Sequence, residues 1–149
     1  MSGASPKGPP PLFGEAHARR YLETNGAEGH DWQGVSTLVL FTRGRRSGRW
    51  RATPLIYARE GAALVVVASK GGAPSDPAWY RNLVDAPEVE AQVGPERVAL
   101  RARTTTGAER ARLWERMAAI WPAYDEYRAR TAREIPVVLL APRSAAAGR

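Results

Sequence analysis

The sequence predicts a mostly β, α+β protein, an antiparallel barrel or half-barrel of strands surrounded by helices. Two observations carry this prediction: several short runs rich in β-branched residues, and helical patterns too few to connect parallel strands one by one. An antiparallel sheet that curls on itself then buries one face of each strand. The predicted strands cover residues 37–42, 53–57, 63–69, 89–93, 98–103 and 135–140.

Domain organisation follows from length and composition. A chain of 149 residues can bury one sizeable core, and no internal repeat divides it. We expect a single domain over residues 12–142, with disordered tails at residues 1–11, rich in Gly, Pro and Ser, and at residues 143–149. The longest apolar run, residues 62–68, is far shorter than a membrane span, and cysteine is absent, so the sequence favours a cytoplasmic protein.

Four helices are predicted around the strands. The first covers about residues 12–24 and could rest on the domain or on a membrane surface. The second, residues 77–84, begins with an N-cap residue followed by proline. The third follows a capping-box pattern at Thr106 and is broken by Pro122, after which a short helix covers residues 123–132.

The charge balance points to an anionic partner. Lys and Arg number 22 against 15 Asp and Glu, which gives a net charge of +7. Nucleic acid, acidic lipid or a polyanionic small molecule would each suit this charge. A nucleic-acid-binding barrel would carry aromatic residues for stacking on its exposed strands, and residues 89–103 contain none. We therefore expect no nucleic-acid partner.

The sequence lacks the residue patterns of several common kinds of catalytic and metal-binding site. The two histidines, His17 and His30, have no partners at metal-ligand spacing, so we expect each to be a surface or loop histidine and expect no metal site. No nucleophile elbow, P-loop or dinucleotide-binding glycine motif occurs. Hydrolytic triads and nucleotide hydrolysis are therefore disfavoured.

An arginine-rich hairpin, residues 44–53, joins the first two strands. Five arginines lie between Arg43 and Arg51, interspersed with glycine and serine. Glycines allow backbone N–H groups to converge on an anion, and arginine forks suit phosphate or carboxylate. Pro54 lacks a ladder donor, so we expect the second strand to be interrupted there and a ligand to lie beside it.

Two further features could meet this hairpin. The loop at residues 69–72, Ser-Lys-Gly-Gly, permits close approach of a flat ligand and adds a charge. Aromatic residues recur on the helices that follow. We expect core packing for Trp79 and Trp114, whereas polar neighbours place Tyr124 and Tyr127 on a surface helix, where their rings could roof a pocket.

Three stretches of the sequence carry a resemblance to a known family. In chain order they are TRGRRSGRWRATPLIY, VVVASKGGAPSDPAWYRNLVDAPEVEAQVG and IWPAYDEYRARTAREIPVVLLAP. Over about residues 20–142 the chain resembles the deazaflavin-dependent nitroreductase family of the split β-barrel flavin-binding superfamily. The resemblance implies a split antiparallel β-barrel, coenzyme F420 as cofactor, and hydride transfer from the reduced deazaflavin to an electron-poor acceptor such as a quinone or nitroaromatic.

The resemblance also implies site residues. Ser69, Tyr124 and Tyr127 would be catalytic, as hydrogen-bond donors to the acceptor. The hairpin would hold the phosphate and acidic tail, and the strands, loop and second helix would hold the ring. The implied cofactor-binding residues are Arg45, Arg46, Ser47, Arg51, Ala52, Thr53, Pro54, Leu55, Ile56, Val67, Ala68, Ser69, Lys70, Ala78, Trp79, Tyr80, Arg81, Asn82 and Tyr124.

Alternatives remain open at this point. A split barrel that uses FMN would also need phosphate-binding residues, and an intact site is equally compatible with a non-catalytic F420-binding protein. The expected partner is a small-molecule electron acceptor, and the protein would be a monomer or homodimer. Weak peripheral contact with the inner membrane face is left open, although the short, charged segment at residues 12–24 argues against it.

Overall fold

The computed structural model describes residues 12–143. The predicted tails lie outside these residues except for Arg143, whose backbone N–H donates to the carbonyl of Ala99 at 3.0 Å. The elements in chain order are α1 (Gly14–Glu23), β1 (Asp31–Trp32), β2 (Val35–Arg43), β3 (Trp50–Ile56), β4 (Ala58–Glu60), β5 (Ala63–Val67), α2 (Ala78–Asp85), β6 (Glu88–Val93), β7 (Glu96–Thr104), α3 (Gly107–Ile120), α4 (Ala123–Arg130) and β8 (Val137–Pro142), with a 3-10 turn at Lys70–Gly72.

The strands pair in an antiparallel sheet that forms a half-barrel. Its order is β1-β2-β6-β7-β8-β5-β4, and β3 pairs with β2 through seven residue pairs from Thr37–Ile56 to Arg43–Trp50. β3 and β5 do not pair, so the barrel has an open seam between them. The fold class predicted from the sequence is confirmed.

Two apolar cores lie on opposite faces of β5. Leu64 and Val66 point into the half-barrel, where α2 closes one end, and Val65 and Val67 pack against α3 and α4. The near-continuous apolar run of this strand predicted burial on both faces, and the structure confirms it. The helix α1 packs on the domain, with Tyr21 fully buried against β2. No helix in residues 12–143 has the length and apolar character needed to cross a membrane.

The predicted interruption at Pro54 is wrong, because β3 runs through it to Ile56. Tyr57 N–H donates to the carbonyl of Ser36 at 3.2 Å. Hydrogen-bonded pairs alternate along an antiparallel ladder, so the nitrogen of Pro54 faces the open seam rather than β2. A proline is tolerated there since β3 is an edge strand.

Candidate active site

An apolar cavity of about 350 Å³ opens at the seam. Its floor consists of Pro54, Leu55 and Ile56 of β3 and Val67 of β5. The remaining wall is mostly aromatic and comes from segments far apart in the sequence. We call this space the aromatic cavity, and the ring-bearing residues that line it are Phe13, His17, Trp32, Trp79, Trp121, Tyr124 and Tyr127.

The loop after β5 brings Ser69, Lys70 and Gly71 to the aromatic cavity. Three successive residues have positive φ, at 48° for Lys70, 64° for Gly71 and 82° for Gly72. Glycine is required at position 72, because a Cβ there would meet the carbonyl oxygen of Tyr127 at 2.6 Å. This close approach ties the loop to α4, which carries two tyrosines of the cavity.

Arg133 fixes the same loop. Its guanidinium donates to the backbone oxygens of Ser69 and Ala73 and to the carboxylate of Asp76, each at 2.8 Å. The side chain is only 14% exposed, so these charge-assisted bonds form largely away from bulk water. They offset the strain of a lysine held at positive φ. Arg133 is not predicted as a site residue from the sequence, since one arginine among many carries no pattern.

Two hydroxyls of the aromatic cavity, Ser69 Oγ and Tyr124 Oη, form no hydrogen bond within residues 12–143. Their residues are nevertheless buried, at 9% and 4% exposure. In the described chain the fully buried side-chain atoms without a partner are Arg110 Nε and Arg143 Nε. Neither hydroxyl is among them, so both reach the open space of the cavity and are available to a ligand.

The helix α4 is a surface helix, as its polar residues predicted, but Tyr124 lies on its buried face and is 4% exposed. Its ring packs against Trp114, with centroids 6.2 Å apart, because the face of α4 that carries Tyr124 turns toward α3. Burial, with a smaller contribution from Tyr127, raises the pKa of the Tyr124 phenol well above its usual value. The hydroxyl therefore stays protonated and can donate a hydrogen bond to a ligand oxygen. Tyr127 is half-buried, and its oxygen accepts a long hydrogen bond of 3.5 Å from Trp121 Nε1.

A second, wider space of about 880 Å³ adjoins the aromatic cavity, and Trp79 lines both. Five guanidinium groups face it against one carboxylate, that of Glu15. Within residues 12–143, Arg45, Arg46 and Arg51 form no ion pair with a carboxylate. We call this space the arginine groove; its basic residues are Arg19, Arg45, Arg46, Arg51 and Arg81.

The hairpin at the arginine groove uses three backbone donors of its turn internally. Gly44 N–H bonds the carbonyl of Arg49 at 2.7 Å, and Gly48 N–H bonds the carbonyl of Gly44 at 2.8 Å. Arg49 N–H is taken by Ser47 Oγ at 3.1 Å. These three donors are therefore not available to an anion. The N–H groups of Arg46 and Ser47 form no hydrogen bond within residues 12–143, so they remain available beside the guanidinium groups.

Asn82 connects the hairpin to α2. Its Oδ1 accepts from the backbone N–H of Arg45 at 3.2 Å, and its Nδ2 donates to Thr42 Oγ1 at 3.2 Å. Asn82 and Thr42 are both buried. The amide thus orients the turn from which the groove's arginines extend.

The other sequence-predicted residues divide between the two spaces, with two exceptions. Ala68 is fully buried and lines neither space. Tyr80 also lines neither, because its hydroxyl is turned to Thr104 Oγ1 at 2.8 Å. The predicted residues that line the arginine groove, besides the arginines named above, are Ser47, Ala52, Thr53, Ala78, Trp79 and Asn82.

Several residues of α1, β1 and their surroundings line these spaces without having been predicted as site residues. His17, expected at the surface or in a loop, is 3% exposed and stacks on Trp32 with centroids 6.0 Å apart. Trp32 was placed in a loop, although it lies in the short strand β1. Phe13 and Arg19 lie on either side of His17 in or beside α1. The four-residue spacing of His17 and Tyr21 was the available signal, since such residues share one helix face.

An apolar cavity with free hydroxyls that adjoins an arginine-lined groove suits a flat ring carrying an anionic chain. With an open antiparallel barrel, these features define a split-barrel protein of the flavin- or deazaflavin-binding class. Comparison with known proteins gives the particular family: F420H(2)-dependent quinone reductase, which matches residues 14–142.

Individual relatives agree with this match. An F420H(2)-dependent quinone reductase of Mycobacterium tuberculosis is 42% identical over 128 residues, which is 83% of this chain and 86% of the relative. A solved F420-H2 dependent reductase has a TM-score of 0.65 and 36% identity, covering 70% of this chain and 92% of its own. Another structure, described as a domain-swapped dimer, has a TM-score of 0.69 and 35% identity, covering 82% and 92%.

The chain belongs to the F420H(2)-dependent quinone reductase family. The match confirms the family resemblance found in the sequence and, with it, coenzyme F420 as the cofactor and an F420-dependent oxidoreductase as the class of enzyme. It favours F420 over the FMN alternative. The residues present also fit the coenzyme chemically, because unpaired arginines face the space where an anionic chain would lie.

Proposed function

We propose that this protein reduces a quinone with F420H(2), holding the deazaflavin ring in the aromatic cavity and the phosphate and acidic tail in the arginine groove. The observation that carries the proposal is the contact of the two spaces at Trp79, with free hydroxyls on one side and unpaired guanidinium groups on the other. A single ligand with a flat ring and an anionic tail would satisfy both.

The coenzyme, when bound reduced, supplies a hydride. The protein residues have other tasks. Pro54, Leu55 and Val67 give the ring an apolar surface, and the loop fixed by Arg133 brings Ser69 to its side. Ser69 and Tyr124 donate hydrogen bonds to the oxygen on which negative charge develops in the acceptor, and Tyr127 assists at the mouth. Such donors act most strongly in a cavity that excludes water.

Two finer features belong to the same proposal. A homodimer is supported by the relative described as a domain-swapped dimer. Peripheral membrane contact is supported by Phe13, which lines the aromatic cavity and is 62% exposed, so an apolar ring stands where a lipid-soluble quinone would enter. Sedimentation of the purified protein and flotation with anionic vesicles test these two features separately.

Titration of coenzyme-free protein tests the assignment. We expect F420 to quench tryptophan fluorescence, since Trp79 and Trp121 line the aromatic cavity, and we expect binding to weaken as salt rises. FMN in a parallel cell should bind much more weakly. Protein loaded with F420H(2) is then mixed with menadione, and oxidation of the coenzyme is followed by absorbance. Binding without oxidation would reduce the protein to a carrier of F420, and binding of FMN alone would overturn the cofactor assignment.

A further inference from the structure

His17 is one of four buried polar side chains of the aromatic cavity, with Thr37, Ser69 and Tyr124, and no predicted role accounts for it. It lies on α1, is 3% exposed, and lines the cavity together with Trp32, on which its ring stacks at an interplanar angle of 20°. Burying a histidine in an aromatic wall costs free energy unless its ring nitrogens have hydrogen-bond partners in the protein or in a ligand.

One nitrogen is accounted for. Nε2 lies 2.8 Å from the carbonyl oxygen of Gly29, which can only accept a hydrogen bond. The neighbouring Thr37 hydroxyl donates to the same oxygen at 2.6 Å, so it does not supply a proton to Nε2 at 3.4 Å. Nε2 therefore carries a proton in either charge state of the imidazole.

The other nitrogen is free. Nδ1 forms no hydrogen bond within residues 12–143, and it is not one of the fully buried atoms without a partner. Nδ1 therefore keeps some accessible surface, and His17 is one of the residues that line the aromatic cavity. With Nε2 held as a donor, Nδ1 is a lone pair in neutral imidazole and an N–H donor in imidazolium.

We propose that His17 is a catalytic general acid, which protonates an oxygen of the quinone from Nδ1. The inference rests on the proposed function. A hydride brings the quinone two electrons and one hydrogen, so one proton is still needed to give the hydroquinone. The imidazolium breaks its Nδ1–H bond, the proton forms an O–H bond on the acceptor, and the neutral imidazole is reprotonated from solvent. The carbonyl of Gly29 accepts from Nε2–H before and after the transfer and so fixes the tautomer that is left behind.

Two matched variants separate this role from packing. H17Q can keep a donor to Gly29 and loses the group at Nδ1, whereas H17N keeps a donor near Nδ1 and loses the bond to Gly29. General acids contribute roughly 100-fold or more to rate. We expect H17Q to lower the single-turnover rate of menadione reduction by about 100-fold and to abolish the solvent deuterium isotope effect of the wild type. H17N should lose as much rate, because its amide donates a hydrogen bond but no proton. A rate in H17N close to that of the wild type would reduce the role of Nδ1 to hydrogen bonding and overturn the proposal.

A second readout does not depend on turnover. The chain contains two histidines, so imidazole nitrogen NMR spectra can be assigned with H30Q, a control residue that does not line the cavity. Adding menadione to coenzyme-free protein should shift Nδ1 of His17 and leave Nε2 in place. An unchanged Nδ1 signal together with a wild-type isotope effect in H17Q would overturn the proposal. Failure of wild-type protein to bind F420 would instead overturn the proposed function.

Discussion

The aromatic cavity and the arginine groove meet at Trp79, yet they are built in opposite ways. Three of the five arginines of the groove come from one hairpin, and their guanidinium groups extend into solvent. The cavity collects residues from α1, β1, β3, the loop after β5, α2 and α4, and most of its polar side chains are buried. Charge can thus be supplied by a local segment, whereas an enclosed space with directed donors needs many segments to pack together.

The largest expected effect tests how rigidly the cavity is built. Gly72→Ala adds a Cβ that would meet the carbonyl of Tyr127 at 2.6 Å, at a φ of 82°. We expect a loss of about 3 kcal/mol in the free energy of unfolding, measured by urea denaturation.

Gly71→Ala is the matched control, because it has a φ of 64° but no atom within 4 Å of the added Cβ. It should lose only about 1 kcal/mol, the cost of positive φ alone. Equal losses for the two variants would show that contact between the loop and α4 is not tight.

The next effect belongs to the groove. Changing Arg45 and Arg46 together to glutamine removes two unpaired guanidinium groups and should weaken F420 binding by about 100-fold at low salt, as expected for lost charge-assisted bonds. Stability and menadione binding should stay unchanged. Arg49→Gln, in the same hairpin but outside the groove, should bind F420 nearly as the wild type does. Fluorescence titration at two salt concentrations measures each affinity for F420. Equal effects of all three substitutions would mean that overall positive charge, rather than the particular arginines of the groove, attracts the coenzyme.

A smaller effect separates chemistry from packing within the cavity. Tyr124→Phe removes a hydroxyl without a partner in the described chain, so we expect the rate of menadione reduction to fall about tenfold while stability stays the same. Ser69→Ala should act similarly.

Tyr21→Phe should do the reverse. Its hydroxyl donates to the carbonyl of Thr37 at 3.0 Å and accepts from Gly94 N–H at 2.7 Å, so its loss costs about 1–3 kcal/mol of stability and little rate. Stopped-flow kinetics and denaturation are measured on the same samples. An unchanged rate in Tyr124→Phe would remove this residue from the set of donors.

The smallest effect is a pH dependence. Burial is the largest cause that raises the pKa of Tyr21, Tyr57 and Tyr124. A raised pKa means that stability is complete below the pKa of an unfolded phenol, about 10, and is lost as pH rises beyond it. Denaturation between pH 9 and 11.5 should show this loss, and Tyr124→Phe should show less of it. A flat profile would mean that these phenols ionise as freely in the folded protein as in the unfolded chain.

The residues of the arginine groove are more predictable from the sequence than those of the aromatic cavity. The hairpin arginines, Ser69 and the two tyrosines of α4 were identified from motifs, and the apolar run of β5 predicted its burial. His17 and Arg133 were not found. His17 is a lone histidine in a helix, and its position depends on a contact with Gly29. Arg133 follows a helix, and its role depends on contacts with the loop after β5. Neither residue belongs to a local sequence pattern.

The sequence by itself determined the half-barrel class, the basic hairpin and the family, because strand periodicity, charge and ordered motifs are local properties of the chain. Tertiary structure decided which donors are free. The N–H of Arg45 was taken by Asn82 of α2, Pro54 was accommodated at an open edge, and Tyr124 was buried against Trp114. Burial and hydrogen-bond pairing depend on what the rest of the chain brings to each residue, and they decide where this protein can hold a ring, an anionic tail and a proton.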